Sequence, residues 1–366
     1  MLRKIKIQGY KSIRDMELEL APRNILIGAN GAGKSNLISF FKLLRWMLQT
    51  PGQLQVFVGK SGGANALLFD GASVTPQMES ELHFQTEAGR KYYFFRLFYA
   101  ASDTFIFAEE KYRFSRTTFN GLADWTSLDA GQREAKLIDS ANSGNATAKT
   151  ILKLMQSCAV YQFHNTSETA RIRQRWNIDD NRYLREDGAN LAPFLLRLKE
   201  TEPIYYRRIV DTLNLIAPFF ADFVLEPVSN AVILQWRERG TDLIFSSAQA
   251  SDGTLRTMAL VTLLLQPQRD LPDVLILDEP ELGLHPYAIN IIGGLINSVS
   301  LHSQVILATQ STLLIDLFEP EDIIVVERKN RQSYFYRQKT ETLEDWLEEY
   351  SLSELWNKNI IGGRPS

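Results

Sequence analysis

The sequence predicts a mixed α/β fold in which a buried, largely parallel sheet carries an antiparallel β subdomain and a helical insert. Three observations predict it. "NILIGANGAGKSNLISFFKLLRWML" reads as a strand, a glycine-rich loop and an amphipathic helix in direct succession. Further on, "DVLILDEP", "SQVILATQS" and "DIIVVER" are β-rich apolar runs of the kind found in strands covered on both faces. Between these regions, residues 127–220 place apolar side chains three and four apart, as helices do.

Taken in chain order, "KIKIQGY" and "DMELEL" alternate with a period of two and predict two opening strands. Residues 52–76 are rich in Gly, Ser and Ala and read as loop with short elements; "VGKSGGAN" at 58–65 lacks the glycine five residues before Gly59 and is expected to be a flexible loop. "ESELHFQT", "KYYFFRLFYA" and "TFIFAEEKYRFSR" predict an antiparallel meander over about 78–118, with turns at "EAGR" and "ASDT". "AGQREAKLIDSA", "ATAKTILKLMQS", "NLAPFLLRLKETEP" and "YYRRIVDTLNLIAP" predict helices. Strands are expected at "VILQWRER" and "TDLIFSSAQA", and a final helix at "ETLEDWLEEYSLSELW". The domain reading is a head made of 1–126 and 227–345, a helical subdomain at 127–226 inserted in it, and a helix and tail at 346–366. No internal repeat and no sustained heptad run is present, so a long coiled-coil arm is not expected.

Composition bounds the function. With 366 residues and 45% hydrophobic side chains the chain can bury a substantial core. Lys and Arg number 40 against 43 Asp and Glu, so no global basic field advertises nucleic acid. A local patch is left open: Arg171, Arg173, Arg175, Arg182 and Arg185 are interleaved with Trp176 and Tyr183, but also with Asp179, Asp180, Glu186 and Asp187, which favours a solvated helical face or a protein contact. One cysteine, Cys158, precludes an internal disulfide and reads as a small core residue. "MLRKIKIQGYKS" is no signal peptide and no apolar run reaches 18 residues, so the expectation is a cytoplasmic protein outside the membrane. The four histidines are scattered, and no metal cluster is expected beyond a magnesium site.

"GANGAGKS", residues 28–35, matches G-x-x-x-x-G-K-[ST] at every fixed position. Backbone N–H groups freed by Gly28, Gly31 and Gly33 close round phosphates, with Asn30 and Asn36 beside them, while Lys34 brings a cation to the β- and γ-phosphates. Ser35 is expected to ligate magnesium. The expected cofactors are therefore ATP and Mg2+. "VLILDEPELGLHP", residues 274–286, ends an apolar strand in two acids. Asp278 can hold the magnesium, and Glu279 can orient and deprotonate the attacking water.

"SDGTLR", residues 251–256, has the residues of an ordinary helix cap. In the order "LIGANGAGKSNL", "SDGTLR", "LILDEPELGLHP", "ILATQS", however, the chain resembles the ABC-type ATPase heads of the SMC, RecF and OLD group, especially its small stand-alone prokaryotic ATPases, over nearly its whole length. "IKIQGYKSIRDMELEL" and the tail "LSELWNKNIIGGRPS" are similar to parts of that group too. The resemblance implies a P-loop NTPase head that forms a homodimer over ATP, in which Ser251, Asp252 and Gly253 face the γ-phosphate held by the second copy. It implies that Gln310 stands where many relatives have a γ-phosphate-sensing histidine; an amide cannot titrate there, so slow turnover is expected. It puts His285 near a dimer-contacting position, with a plain helix-start role as the alternative. The glutamine of the magnesium shell is expected to be Gln162, with Gln85 behind it.

OLD proteins add an acidic nuclease domain, which is not expected within residues 287–366. The function implied is an ATP-driven switch or sensor acting on a separately encoded effector, a nuclease or toxin, in phage defence or genome maintenance. The rivals are a RecF-like DNA-binding repair factor, a transporter ATPase subunit and a non-hydrolysing ATP-bound scaffold.

Overall fold

A computed structural model describes residues 1–116 and 123–364. The chain divides into two compact units, one of residues 1–159, 306–310 and 319–366 and the other of residues 160–305 and 311–318.

The first unit opens with β1 (Leu2–Tyr10), β2 (Ile13–Glu19), β3 (Arg23–Ile27), α1 (Lys34–Gln49) and α2 (Gln53–Lys60). β4 (Gln77–Thr86), β5 (Gly89–Ala100), β6 (Thr104–Arg116) and the short β7 (Thr126–Ser127) complete an antiparallel sheet in the order β2-β1-β4-β5-β6-β7. The expected meander is therefore present and incorporates the two opening strands; its expected end at residue 118 lies outside the described residues. Alternation sets the register: Ile5 and Ile7 are fully buried, while Lys6 lies opposite Glu17 and bonds it at 2.8 Å. α1 covers this sheet because Leu37, Phe40, Phe41, Leu44 and Leu48 recur at helical spacing and all are buried. Phe40 meets Tyr10 of β1 edge-on at 5.3 Å and stacks on Phe95 of β5 at 6.4 Å.

α3 (Leu137–Asn142) and α4 (Ala146–Gln156) also belong to this unit; α4 is tied to α1 by Gln156 Nε2 donating to Leu48 O at 2.8 Å. The helical stretch expected over 127–226 is thus divided between the units at residue 159. Residues 130–136, expected to be helical, are not; α3 starts only where the buried carboxylate of Glu110 receives the Lys136 and Leu137 N–H groups at 2.8 and 3.1 Å.

Past β8 (Cys158–Tyr161), the second unit contains β9 (Trp176–Asn177), α5 (Leu191–Thr201), α6 (Pro203–Ile216), β10 (Phe220–Val224), β11 (Ala231–Val232), β12 (Gln235–Glu238) and β13 (Ile244–Ser246). Pro203 ends α5 and, as the first residue of α6, starts the next helix at once. β10, β12 and β13 form one antiparallel sheet, and β9 pairs with β11. α7 (Asp252–Leu265), β14 (Val274–Asp278) and α8 (Pro286–Val299) follow; β15 (Gln304–Ala308) ends among the first unit's residues 306–310, and α9 (Thr312–Ile315) is again in the second. β14 is buried along its whole length, and Asp273 O just before it accepts from Gln304 N at 2.9 Å.

The chain then returns to the first unit as β16 (Ile323–Lys329), β17 (Gln332–Arg337), α10 (Glu344–Leu347) and α11 (Leu352–Asn357). β16 runs parallel to β3 with Ile324 opposite Leu26 and antiparallel to β17. The single helix expected over "ETLEDWLEEYSLSELW" is broken. Ser351 and Glu354 form a reciprocal capping box that begins α11 afresh. The stretch 52–76 is loop with short elements, α2 among them; residues 58–65, expected to be a flexible loop, instead begin in the last turn of α2 and are then pinned, with Ala64 N and Asn65 N donating to Asp103 O and Oδ1 at 3.0 and 2.7 Å. Among the described residues, no helix is long and apolar enough to cross a membrane.

Candidate functional site

In the first unit the buried strand β3 delivers the chain to the loop Gly28–Gly33, and α1 carries it away. Side chains are excluded where the loop presses on its neighbours: a Cβ on Gly28 would lie 2.2 Å from Val326 O, and one on Gly33 would lie 2.1 Å from Ser333 Oγ. At Gly31 such an atom would meet nothing, so the loop is open on that side. Ser333 Oγ bonds Ala32 O at 2.5 Å and Ser12 Oγ at 2.6 Å, and Asn36 Nδ2 donates to Ser12 Oγ at 2.7 Å. Asn36 thus braces the loop from within α1.

Lys34 is 5% exposed and donates its ammonium to Gly28 O at 2.6 Å and Ala29 O at 3.2 Å. Ser35 is exposed at the first turn of α1. That turn carries no acidic residue, and Gly33 supplies no side-chain cap. A helix start without a carboxylate, an open glycine loop and a lysine at its base fit a polyphosphate. Gln310, directly after Thr309 N has bonded Leu26 O at 3.1 Å, donates Nε2 to Asn30 Oδ1 at 2.6 Å. Both residues are in this unit, so the residue expected to sense a γ-phosphate touches the loop Gly28–Gly33 itself.

In the second unit Asp278 ends β14 and is 7% exposed. Gln162 Nε2 donates to Asp278 Oδ2 at 2.5 Å, and the His164 Nε2–H donates to the Asp278 backbone oxygen at 2.8 Å. Gln85 is elsewhere, at the end of β4 with its amide on Thr86 O at 2.9 Å. A carboxylate and an amide oxygen are the hard donors that magnesium takes. Glu279 follows with φ 43, a left-handed backbone that costs a non-glycine residue about 1–3 kcal/mol. The chain then turns through Leu282 N to Glu279 O at 3.2 Å and reaches His285, which caps α8 by accepting the Tyr287 N–H on Nδ1 at 3.3 Å. The helix-start reading of His285 is thus realised.

Ser251 caps α7 in the same way, its Oγ accepting from Thr254 N at 3.1 Å. The cap does not exhaust the segment. Gly253 packs so closely that a Cβ would lie 2.6 Å from Gly283 O. Asp252 Oδ1 is held at 3.0 Å by Arg173, which also donates to Thr166 O, Ser247 O and Ala250 O. Arg256 donates to Phe163 O at 3.2 Å, His164 O at 3.0 Å and Leu282 O at 2.9 Å. One guanidinium therefore joins the start of α7 to the segment bearing Gln162 and to the turn after Glu279.

Sequence reasoning missed His164, Arg173 and Arg256 as parts of this arrangement. Arg256 stands in the hexapeptide "SDGTLR" itself but had no assigned role. The arginine-rich stretch 171–185 is not the helical face expected: it is a 3-10 turn, the strand β9 and irregular chain. Arg171 and Arg185 lie over Trp176 and pair with Asp187 and Asp180 at 3.0 and 2.6 Å.

Residues 23–316 match the family described as "AAA domain, putative AbiEii toxin, Type IV TA system". No curated protein sequence matches the chain. Among solved structures the chain is similar to an SMC head bound to the C-terminal winged-helix domain of ScpA, with 15% identity and a TM-score of 0.62 over 94% of this chain and 99% of that one. It is also similar to the Pyrococcus furiosus Smc head with an extended coiled coil bound to the C-terminal domain of ScpA, with 15% identity and a TM-score of 0.57 over 95% and 98%. The Thermotoga maritima SMC head domain matches at 15% identity and a TM-score of 0.50 over 92% and 99%. The α/β P-loop architecture with its antiparallel sheet is that of these heads, and the match over 23–316 makes the chain a member of that AAA-domain family.

Proposed function

We propose that this chain binds ATP with magnesium, hydrolyses it slowly, and uses the cycle of homodimer closure and opening to control a separately encoded effector. The observation that carries the reading is the loop Gly28–Gly33, open at Gly31, with the Lys34 ammonium at its base on two carbonyl oxygens. In the proposed cycle Lys34 exchanges those carbonyls for the β- and γ-phosphates, a stronger, charge-assisted partnership. Gly28, Asn30, Gly31, Gly33 and Asn36 shape the cradle. Ser35, Asp278 and Gln162 offer oxygen donors to magnesium, which when bound neutralises charge building on the phosphates.

Glu279 takes a proton from the attacking water and orients it in line. Gln310, already on Asn30, hydrogen-bonds the γ-phosphate without titrating. Ser251, Asp252 and Gly253 present the start of α7 to the triphosphate of the second copy, a helix N-terminus directed at an anion. His285 flanks that face and contacts the second copy.

The family description names a putative toxin and a toxin–antitoxin system, and two of the similar SMC heads are bound to ScpA domains. Both support an effector protein as the partner, in phage defence or genome maintenance. Direct binding of nucleic acid draws less support, because Arg171, Arg173 and Arg185 are engaged within the chain. The test is phosphate release by wild type, Lys34→Ala and Glu279→Gln with Mg-ATP. Turnover by wild type alone supports the cycle, and equal phosphate release by wild type and Glu279→Gln reduces the protein to an ATP-bound scaffold.

A further inference from the structure

The phosphate loop is gripped from behind by the far end of the sequence. Ala29 N–H, at the start of the loop, donates to Gly363 O at 2.8 Å, and Gly363 N–H donates to Glu327 Oε1 of β16 at 3.0 Å. Gly363 therefore bridges the loop and the strand beside β3 by backbone atoms alone. The approach demands glycine. Gly362 and Gly363 have φ 80 and 84; a Cβ on the first would lie 2.6 Å from Glu327 Oε1, and one on the second 2.9 Å from Val325 Cγ1 and 3.5 Å from Gly28 Cα.

The segment leading there is built with care. The capping box Ser351/Glu354 starts α11; Leu352, Leu355 and Trp356 are buried. Ile360 N then bonds Leu355 O at 2.9 Å after the left-handed turn at Asn359, and Ile361 is buried at 6% exposure. Glu327 is held ionised below the usual carboxylate range by Lys329 first and by the Gly363 N–H second.

We propose that Ile361–Gly363 is a positioning element of the nucleotide site: a backbone strap that fixes the start of the phosphate loop so that Lys34 and the opening turn of α1 meet a triphosphate without first ordering the loop. This rests on the ATP-binding reading above. The amide it takes is that of Ala29 and not those that open α1, so the strap orients the loop without competing for the anion. Ordering the loop in advance removes an entropic cost from binding, and its loss should appear in affinity more than in the chemical step.

The experiment is equilibrium binding of a fluorescent ATP analogue with magnesium to wild type, Gly363→Val, Glu327→Ala, Glu327→Gln and Lys34→Ala, with melting of each nucleotide-free protein alongside. Gly363→Val and Glu327→Ala are expected to bind about tenfold more weakly, with KM for ATP raised and kcat held within about twofold. Glu327→Gln keeps an oxygen for the Gly363 N–H and should bind as wild type does. Hydrogen exchange at the Ala29 amide should quicken in Gly363→Val. Should Gly363→Val not fold, Glu327→Ala decides. Wild-type affinity in the strap variants, with binding lost only in Lys34→Ala, overturns the strap and leaves the ATP reading standing. Failure of wild type itself to bind the analogue overturns both.

Discussion

Gln162 reaches across 116 residues of sequence to place its amide nitrogen 2.5 Å from a carboxylate oxygen of Asp278. The contact joins a residue just past β8 to the end of the buried strand β14. In the proposed cycle Gln162 would give up this bond and offer its amide oxygen to magnesium.

Replacing Gln162 tests that trade. Gln162→Ala is expected to lower magnesium-dependent phosphate release by about 10- to 100-fold, the usual cost of removing a group that supports a metal site. Binding of the ATP analogue without magnesium should stay near that of wild type. Phosphate release measured against magnesium concentration checks this: the variant should need more magnesium, and an unchanged magnesium curve would remove Gln162 from the site.

Arg256 satisfies three carbonyl oxygens on two segments, and its removal should loosen both. Arg256→Ala is expected to cost about 1–3 kcal/mol of stability in the second unit, since the Phe163, His164 and Leu282 carbonyls lose a charged donor together. Arg256→Lys should recover only part, because an ammonium cannot present the planar fork of donors. Chemical denaturation of the three proteins gives the comparison.

Gly253 offers an independent test at the other side of the same turn. A Cβ there would meet Gly283 O at 2.6 Å, backbone against backbone, so Gly253→Ala must displace either the start of α7 or the turn after Glu279. The expected loss is about 1–3 kcal/mol, as for overpacking elsewhere. Glu279-dependent turnover should fall with it, because the turn that carries Glu279 moves.

These arrangements differ in how legible they were. The loop Gly28–Gly33 between β3 and α1, and the strand β14 ending at Asp278, were readable as structure because each is a contiguous run whose signal is local: strand, turn, helix or strand end. Ser351 and Glu354 were readable in principle as a capping pair, yet the apolar spacing around them suggested one unbroken helix. Arg173 and Arg256 were not readable in their roles. Their partners include backbone carbonyls 74 to 93 residues away, and a carbonyl leaves no mark on the identity of the residue that bears it. For the same reason the arginine-rich stretch looked like a surface feature, although Arg173 serves inside its own unit. Nothing local at Gly362 and Gly363 marks their contact, since what they approach lies at the opposite end of the sequence.

Glu110 predicts a pH dependence of stability. It is fully buried, accepts from Tyr93 Oη–H at 2.8 Å and caps α3, and burial, outweighing these hydrogen bonds, raises its carboxyl above the ordinary range. The folded state therefore holds this proton more tightly than the unfolded chain. The stability it contributes is present below the ordinary carboxyl value and is lost as pH rises through the raised one. In melting series of wild type and Glu110→Gln between acid and neutral pH, the advantage of wild type should shrink as pH rises; a gap that widens would assign the buried carboxyl the opposite shift.

The central claim is that "SDGTLR" does more than cap α7: it completes the ATP site of a second copy. The most direct measurement is the light-scattering mass of Glu279→Gln with and without Mg-ATP, beside the same protein carrying Ser251→Arg. The account predicts that ATP doubles the mass, or tightens an existing oligomer, and that Ser251→Arg abolishes the effect while ATP still binds. ATP bound to both proteins with the assembly unchanged in each would contradict it, leaving Ser251 as a helix cap and nothing further.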